Sequence, residues 1–338
     1  GAQGVCFCAR RPGTQPRPAR FSFPHLVFVR CLPLTFVAMK IFRSLIIAAL
    51  LPLAVAAKEY SIKLHRPAQV GDRFRVELSG TEATTMARLV DGEEEAEMEK
   101  WSTQLKGVVT VLKVNKLGGA VKLQINVESF TITEGKFTDE AMPKGAVIRG
   151  EDGKDENHFE NWDEDLKVAF PLREGRTVQA LKLLFTFDEM DAKETDDDIF
   201  GTKKKRKVGD SWKLNAKALA ASAKRDKVGI DPKKATGKIT LVGVVKVRGH
   251  ECLEVKGQFT VKDVRPPMNL PRGLRLAKSV MTGRMHSKQP VNPKLPELEN
   301  HMSMSLDIEI TDRQNGVTLK RTMRMESHSK IEPLKPGR

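Results

Sequence analysis

One pair of side chains in this chain has the composition of a nucleophilic site. His250 and Cys252 lie two positions apart in Gly-His-Glu-Cys-Leu (249–253), and an imidazole beside a thiol can lower the pKa of the thiol and activate it. Alternation along this segment puts both side chains opposite Leu253, so we expect both to face solvent or a cleft. Because no third group that would orient the imidazole can be identified, we interpret the pair as incidental and do not predict an enzyme.

A second set of residues, near the C-terminus, favours ligand binding. Two segments of alternating apolar and polar residues flank the turn-forming pair Asn315-Gly316, which predicts a long antiparallel hairpin with one buried face. Arg321 falls on the apolar face, where a buried guanidinium needs a carboxylate, water or an anionic head group as its partner. The predicted ligand-binding residues are Arg321, Met302, Met304, Met323 and Met325. Ordinary core filling is the alternative for the methionines.

Other motifs do not support a specific chemistry. Residues 203–208 (Lys-Lys-Lys-Arg-Lys-Val) have the composition of a nuclear import signal, which an exported chain never presents to import receptors. Gly237-Lys238 resembles the end of a phosphate-binding loop, but Ile239 replaces the Ser or Thr that would hold Mg²⁺. The histidines lack metal-binding spacing. We therefore expect no metal, no cofactor and no nucleic-acid partner.

The elements that position these residues are mainly β-strands arranged as a repeat. Val-Gly-Asp-Arg-Phe (70–74) and Val-Gly-Asp-Ser-Trp (208–212) each precede an alternating segment, the second with Trp212, Leu214 and Ala216 on its apolar side. Residues 110–125 also align without gaps to 240–255. We predict a mainly β fold of two related antiparallel halves, forming a curved sheet, half-barrel or sandwich and joined by a helical connector.

The domain organisation follows from these segments. The predicted parts are an upstream non-native extension (1–38), a signal peptide (39–57), a first β-repeat half (58–176), a helical connector and charged linker (177–207), a second β-repeat half (208–332) and a tail (333–338). A helix within 177–200 is indicated by the spacing of Val178, Leu181, Leu184, Phe185 and Met190.

Residues 39–57 have the three parts of a secretory signal peptide. A basic start with Lys40 and Arg43 precedes an apolar run, and small residues end at Ala57. Since no uninterrupted apolar run approaches the roughly 20 residues of a membrane span, we predict export to the periplasm or the exterior and no integral membrane protein after cleavage. The loss of residues 1–57 also leaves Cys252 as the sole cysteine, which excludes a disulfide scaffold.

Charge is distributed unevenly after this segment. Residues 58–200 carry 20 basic and 30 acidic side chains, whereas residues 201–338 carry 31 and 13. Two interpretations stay open: solvated faces of opposite sign that help the halves dock, or a basic half that meets an anionic component of the cell envelope.

Three features together resemble a known group of proteins. The signal peptide, Val-Gly-Asp-Ser-Trp (208–212) and Gly-His-Glu-Cys-Leu (249–253) are similar to exported bacterial β-repeat proteins of unknown function. The pattern is also similar to periplasmic lipoprotein-carrier-like folds, in which a curved antiparallel sheet wraps an apolar cavity. The resemblance implies an exported, non-catalytic envelope protein that binds a lipid or another amphipathic molecule between its β halves. A structural or protein-binding module is the alternative, and an enzyme using the Cys-His pair ranks third.

Overall fold

The computed structural model describes residues 58–334 except 91–92, 154–156, 174, 189, 226, 269, 271 and 313–315. The predicted extension and signal peptide, and Asn315 of the predicted turn, lie outside the described residues. Thirteen strands and three α-helices occur in the described part of the chain. The strands are β1 (Arg73–Val90), β2 (Glu93–Val114), β3 (Ala120–Glu134), β4 (Phe137–Met142), β5 (Val147–Glu151), β6 (His158–Asp163), β7 (Val168–Pro171), β8 (Ser211–Lys213), β9 (Ala235–Val247), β10 (His250–Lys262), β11 (Leu274–Pro290), β12 (Glu299–Asp312) and β13 (Val317–Pro333). The helices are α1 (Arg176–Leu184), α2 (Asp196–Ile199) and α3 (Ala216–Arg225).

All thirteen strands belong to one antiparallel sheet. Its order is β7-β6-β5-β3-β2-β1-β13-β12-β11-β10-β9-β8, with β4 paired to β3 outside this path. The first strand therefore pairs with the last at the centre of the sheet, from Phe74 with Pro333 to Leu89 with Thr318. The mainly β, antiparallel fold predicted from the sequence is confirmed, as an open curved sheet. The boundaries of the two halves stay a prediction.

The described helices pack against one face of the sheet, which we call the helix-bearing face. At one end, Val178 and Leu181 of α1 pack on Leu105, Ile125 and their neighbours. At the other end, Trp212 and Ala218 join a second cluster on the inner residues of β9 and β10. We call the opposite side of the sheet the open face. Since side chains alternate along a strand, each central strand contributes to both faces.

Helix α1 is anchored to the sheet through its first residue. The guanidinium of Arg176 donates to carboxylate oxygens of Glu99 on β2 and Glu134 on β3, and it lies 5.0 Å from the centre of the Trp101 ring. A cation over an indole adds a favourable electrostatic contact. These contacts hold α1 over the first half of the sheet, where Leu183 approaches Gly80 so closely that a Cβ there would lie 2.7 Å from Cδ2 of Leu183.

The predicted repeat has a structural counterpart in its two Gly-Asp turns. Gly71 and Gly209 have nearly the same backbone angle, with φ of 92° and 93°, which glycine tolerates because it lacks a Cβ. The amide of Gly71 donates to the carbonyl of Val111, and that of Gly209 donates to Leu241, at 2.9 and 2.8 Å. Each acceptor lies at an equivalent position of the gapless alignment. The two turns thus fix the entry of the chain into the sheet in the same way.

The segment after Trp212 differs from the prediction. We expected alternation to continue through Leu214 and Ala216, but β8 ends at Lys213 and α3 begins at Ala216. The sequence from 216 to 225 is rich in alanine and lysine, which have high helix propensity. The side chain of Asn215 caps this helix by accepting the amide N–H of Ala218 at 3.3 Å. In the described residues, no helix is long and apolar enough to cross a bilayer.

Candidate functional site

Six methionines lie together on the helix-bearing face of β11, β12 and β13. The strand register pairs Met285 with Met302 and Met304 with Met325, and all of these side chains are half-buried. We call this set the methionine strip: Met281, Met285, Met302, Met304, Met323 and Met325. Sequence alternation predicted that the last four share one face, and the register confirms it.

The methionine strip lies between the two large core clusters. Apart from Met281, which packs near α3, its members belong to neither cluster. Two glycines beneath the strip let side chains lie flat on the sheet: a Cβ on Gly283 would lie 2.2 Å from the Phe259 ring, and one on Gly257 would lie 2.7 Å from Cγ of Met285. The strip is therefore an apolar floor between two helix-covered regions.

Arg321 lies at one end of the methionine strip, but it is not buried. It faces Met86 on β1 and Ile308 on β12, and its side chain is exposed. Arg321 is therefore not half of a buried ion pair, because no described element covers this end of the face. Arg321 makes no hydrogen bond or ion pair with another described residue, so its charge is available to a ligand.

A polar cluster lies at the other end of the strip. The Arg66 guanidinium donates to Oε1 of Gln289 at 3.0 Å and to the carbonyl of Pro290 at 2.7 Å. The Gln289 amide in turn donates to Oε1 of Glu297 at 2.6 Å. Beside it, Oδ1 of Asn300 is buried with no hydrogen-bond partner among the described residues. This end of the floor can therefore both donate and accept hydrogen bonds.

Two carboxyl groups in the polar cluster have raised pKa values. Burial, followed by the Asp196 carboxylate, raises the pKa of Glu297 to about 8. Asp196 is an exposed residue of α2; partial loss of hydration at its carboxyl group, with a further contribution from Asp188, raises its pKa too. Glu297 is consequently protonated at neutral pH and can donate a hydrogen bond through its carboxyl group.

The His250 and Cys252 pair is not arranged for nucleophilic chemistry. Cys252 is fully buried beside Val247 and Leu298, and its thiol donates to the backbone carbonyl of His250 at 3.5 Å. Burial raises the pKa of the Cys252 thiol, which disfavours the reactive thiolate. The expectation that this side chain faces solvent or a cleft is wrong because residues 291–298 bring Leu298 over it.

Sequence reasoning missed Met281 and Met285. Both alternate with polar residues in Met-Thr-Gly-Arg-Met (281–285), and this period of two is a signal that could have placed them on the same face as Phe259. Gly283 obscures the pattern because it leaves a gap between the two methionines. Among the described residues, no three His, Cys, Asp or Glu side chains are placed to hold a metal ion.

Comparisons with known proteins find few similarities. No family model matches this chain, and no curated protein matches it. Among solved structures, a DUF1329 family protein from Desulfovibrio piger is 8% identical over 72% of this chain and 83% of its own, with a TM-score of 0.14. An outer membrane lipoprotein-sorting protein domain from Vibrio parahaemolyticus is 8% identical over 77% and 87%, with a TM-score of 0.15. The second structure is of the class that the sequence resemblance named. At such TM-scores, neither structure assigns a role to any residue of this chain.

Proposed function

We propose that this chain is an exported, non-catalytic protein of the cell envelope that holds one amphipathic molecule along the methionine strip. The observation that carries the proposal is the position of the strip: a half-buried apolar floor between two cores that ends at Arg321, a cation without a partner among the described residues. Methionine is flexible and polarizable, so a floor built from it can adapt to apolar chains of different shape.

The dimensions of the floor suit an extended acyl chain. On β12 the distance from the row of Met302 to the row of Ile308 spans six residues, which corresponds to about 20 Å at 3.3 Å per residue. An apolar chain lying over the methionines would place an anionic head group beside Arg321. The guanidinium can bind a carboxylate or phosphate through two parallel hydrogen bonds.

Binding of a fluorescent fatty acid provides the first test. We expect purified residues 58–338 to bind dansyl-undecanoic acid, and palmitate to displace it. Met304→Glu should weaken binding at least about tenfold, because a charge on the floor would have to be desolvated by the acyl chain. Ser305→Glu is the matched control, since Ser305 is the next residue of β12 and is on the open face. Equal affinity in both variants would contradict the proposal.

Arg321 is tested by a second matched pair. Arg321→Met should reduce affinity for the fatty acid while leaving affinity for the corresponding fatty alcohol unchanged, because only the acid carries a charge. Arg324→Met removes an exposed cation from the other face of β13 and should change neither. If Arg321→Met instead lowered the stability by about 3 kcal/mol, with binding unchanged, Arg321 would be a structural residue.

The proposed location rests on the signal-like sequence of residues 39–57. If the chain is exported, protein recovered from the periplasmic or secreted fraction should begin at Ala57 or Lys58 when its N-terminus is sequenced. Intact residues 1–38 on that material would contradict export through this signal. Lipid extraction of the same sample, followed by mass spectrometry, would identify a ligand that co-purifies.

A further inference from the structure

The open face of the sheet carries a row of three histidines. The register sets His286 on β11 opposite His301 on β12, and His301 opposite His328 on β13. Lys256 extends the row on β10 and Ser79 extends it on β1. These residues are far apart in sequence, and only the pairing of the strands brings them together.

A groove follows this row across the open face. Three adjoining depressions of about 460, 620 and 410 Å³ share lining residues: Arg284 and Gln258 join the first two, and His286 and His301 join the last two. The groove crosses six strands from β9 to β1, which corresponds to about 24 Å at the usual spacing between strands. Its length suits a linear polymer better than a small molecule.

The charge of the groove is positive. Its lining includes four Lys or Arg side chains, namely Lys238, Lys256, Arg284 and Lys288, and two acids, Glu299 and Glu326. Both acids already have partners: Glu299 accepts from Lys288 at 2.5 Å, and Glu326 is 2.6 Å from Nε2 of His301. Neither Lys238 nor Arg284 is paired with another described residue. The groove therefore presents free cations and occupied carboxylates.

The neutral part of the lining distinguishes between classes of polymer. Hydroxyl and amide groups predominate, from Ser79, Thr81, Thr240, Gln258 and Ser303, and such groups bind sugar hydroxyls. Single-stranded nucleic acid would need aromatic platforms for its bases. In the described lining of the groove, Phe259 is the one Phe, Tyr or Trp, and its ring packs over Gly283 on the other face.

From this arrangement, we infer that the groove on the open face binds an acidic polysaccharide, with Lys238 and Arg284 contacting its carboxylates, and that binding tightens when the histidine row is protonated. The site is separate from the methionine strip, which lies on the other face of the same strands, so the inference stands independently of the function proposed above.

The groups around each histidine set the direction of the pH effect. His286 faces Glu254 and Lys256 on β10 and His301 on β12; Nε2 of His286 is 2.6 Å from Glu254. His301 faces His286, His328 and Glu326 and has Lys288 and Glu299 beside it.

His328 has neighbours on both adjacent strands. It faces His301 on β12 and Ser79 on β1, with Glu77, Glu299, Glu326 and Lys330 around it. Burial, followed by Lys330 and His301, lowers the pKa of His328. Protonation of His328 at acid pH adds positive charge to the groove, and a bound anion would favour that protonation by linkage.

The experiment measures fluorescence polarization of a labelled oligogalacturonate long enough to span the groove. We expect affinity to rise about tenfold from about pH 7.5 to about pH 5.5 at constant ionic strength. A neutral maltodextrin of equal length should not bind. Failure of the oligogalacturonate to bind at either pH would overturn the inference, and equal binding of polyglutamate would overturn the assignment to a polysaccharide.

Matched variants place the binding site. Lys238→Gln/Arg284→Gln should weaken binding about tenfold, whereas Lys116→Gln/Lys144→Gln, which removes the same charge from exposed turns, should have little effect. His328→Gln should reduce the gain in affinity between about pH 7.5 and about pH 5.5. Equal losses in the two lysine-containing pairs would show that binding depends on net charge alone and would overturn the assigned site. Fatty-acid binding should persist in every groove variant.

Discussion

The two faces of β11, β12 and β13 are made from alternate residues of the same strands, yet they differ in almost every property. On the helix-bearing face, methionines form a floor between two helix-covered cores, and Arg321 is the cation at its end. On the open face, three imidazoles stand in a row beside paired carboxylates and beside Lys238 and Arg284, which pair with no described residue. The difference shows that apolar and polar residues alternating along the same strands can specify two separate surfaces, one for apolar and one for polar contacts.

The comparison predicts that the same kind of substitution has opposite consequences on the two faces. Gly283 lies on the helix-bearing face, where an added Cβ would lie 2.2 Å from the Phe259 ring. Gly283→Ala should therefore lower the free energy of unfolding by about 3 kcal/mol, because the ring would have to leave its packed position. Urea denaturation followed by circular dichroism measures this change.

Gly243 is the control on the open face. A Cβ there would meet Oε2 of Glu254 at an ordinary 3.5 Å, and Gly243→Ala removes backbone freedom from the unfolded chain. We expect a change between zero and about 1 kcal/mol in the stabilising direction. Similar losses for both variants would show that the faces do not differ in packing as described.

Glu297 and Glu299, two residues apart, are predicted to contribute to stability with opposite dependences on pH. Glu297, in the polar cluster, has a pKa raised from 4.5 to about 8, so the folded state holds a proton that the unfolded state has released, and stability falls as pH rises across this interval. Glu297→Gln should flatten that decline and leave the variant about 2 kcal/mol more stable than the parent near pH 9.

Glu299 should show the reverse dependence. The hydrogen bond from Lys288 lowers the pKa of Glu299 in the folded state. The stabilisation by this carboxylate is therefore present above the ordinary pKa of 4.5 and is lost as pH falls through the lower pKa of the folded state. Glu299→Gln should cost about 1 kcal/mol at neutral pH and nothing in strong acid. Denaturation curves across the pH range measure the free energy of unfolding of both variants. If the two substitutions changed its dependence on pH in the same direction, this account would be contradicted.

A last pair of substitutions tests whether the methionine strip is a binding floor or a core. Met302→Ala should cost about 1 kcal/mol, below the 2 to 5 kcal/mol of a fully buried methionine, because the side chain is half-buried. His301→Ala, one residue away on the open face, should cost about 0.5 kcal/mol or less. A loss of about 3 kcal/mol in Met302→Ala would show that the strip is ordinary core.

Local alternation explains how much of this arrangement could be predicted. It placed Met302, Met304, Met323 and Met325 on one face, and the two Gly-Asp turns were visible as a repeated motif. These features depend on residues that are near in sequence, where side-chain direction follows from strand geometry. Alternation also put Cys252 correctly on the face opposite Leu253.

The features that sequence reasoning missed depend on contacts between distant segments. Cys252 is buried because Leu298 packs over it. Arg321 is exposed because no described element covers its end of the helix-bearing face. The row of His286, His301 and His328 requires two strand registers at once, and their spacings of 15 and 27 residues carry no local pattern. Lone histidines of this kind become a surface only after the strands pair.

The pairing of β1 with β13 also constrains how the molecule folds. Residues such as Phe74 and Pro333 are joined across almost the whole described chain, so the central hydrogen-bond ladder has a very high contact order, which predicts slow folding. Until β13 has been synthesised and has paired, each half of the sheet exposes a long unpaired edge strand where the other half will attach. Such edges promote aggregation. Completion of the sheet is therefore a late event, and the final seventeen-residue strand determines when the whole sheet closes.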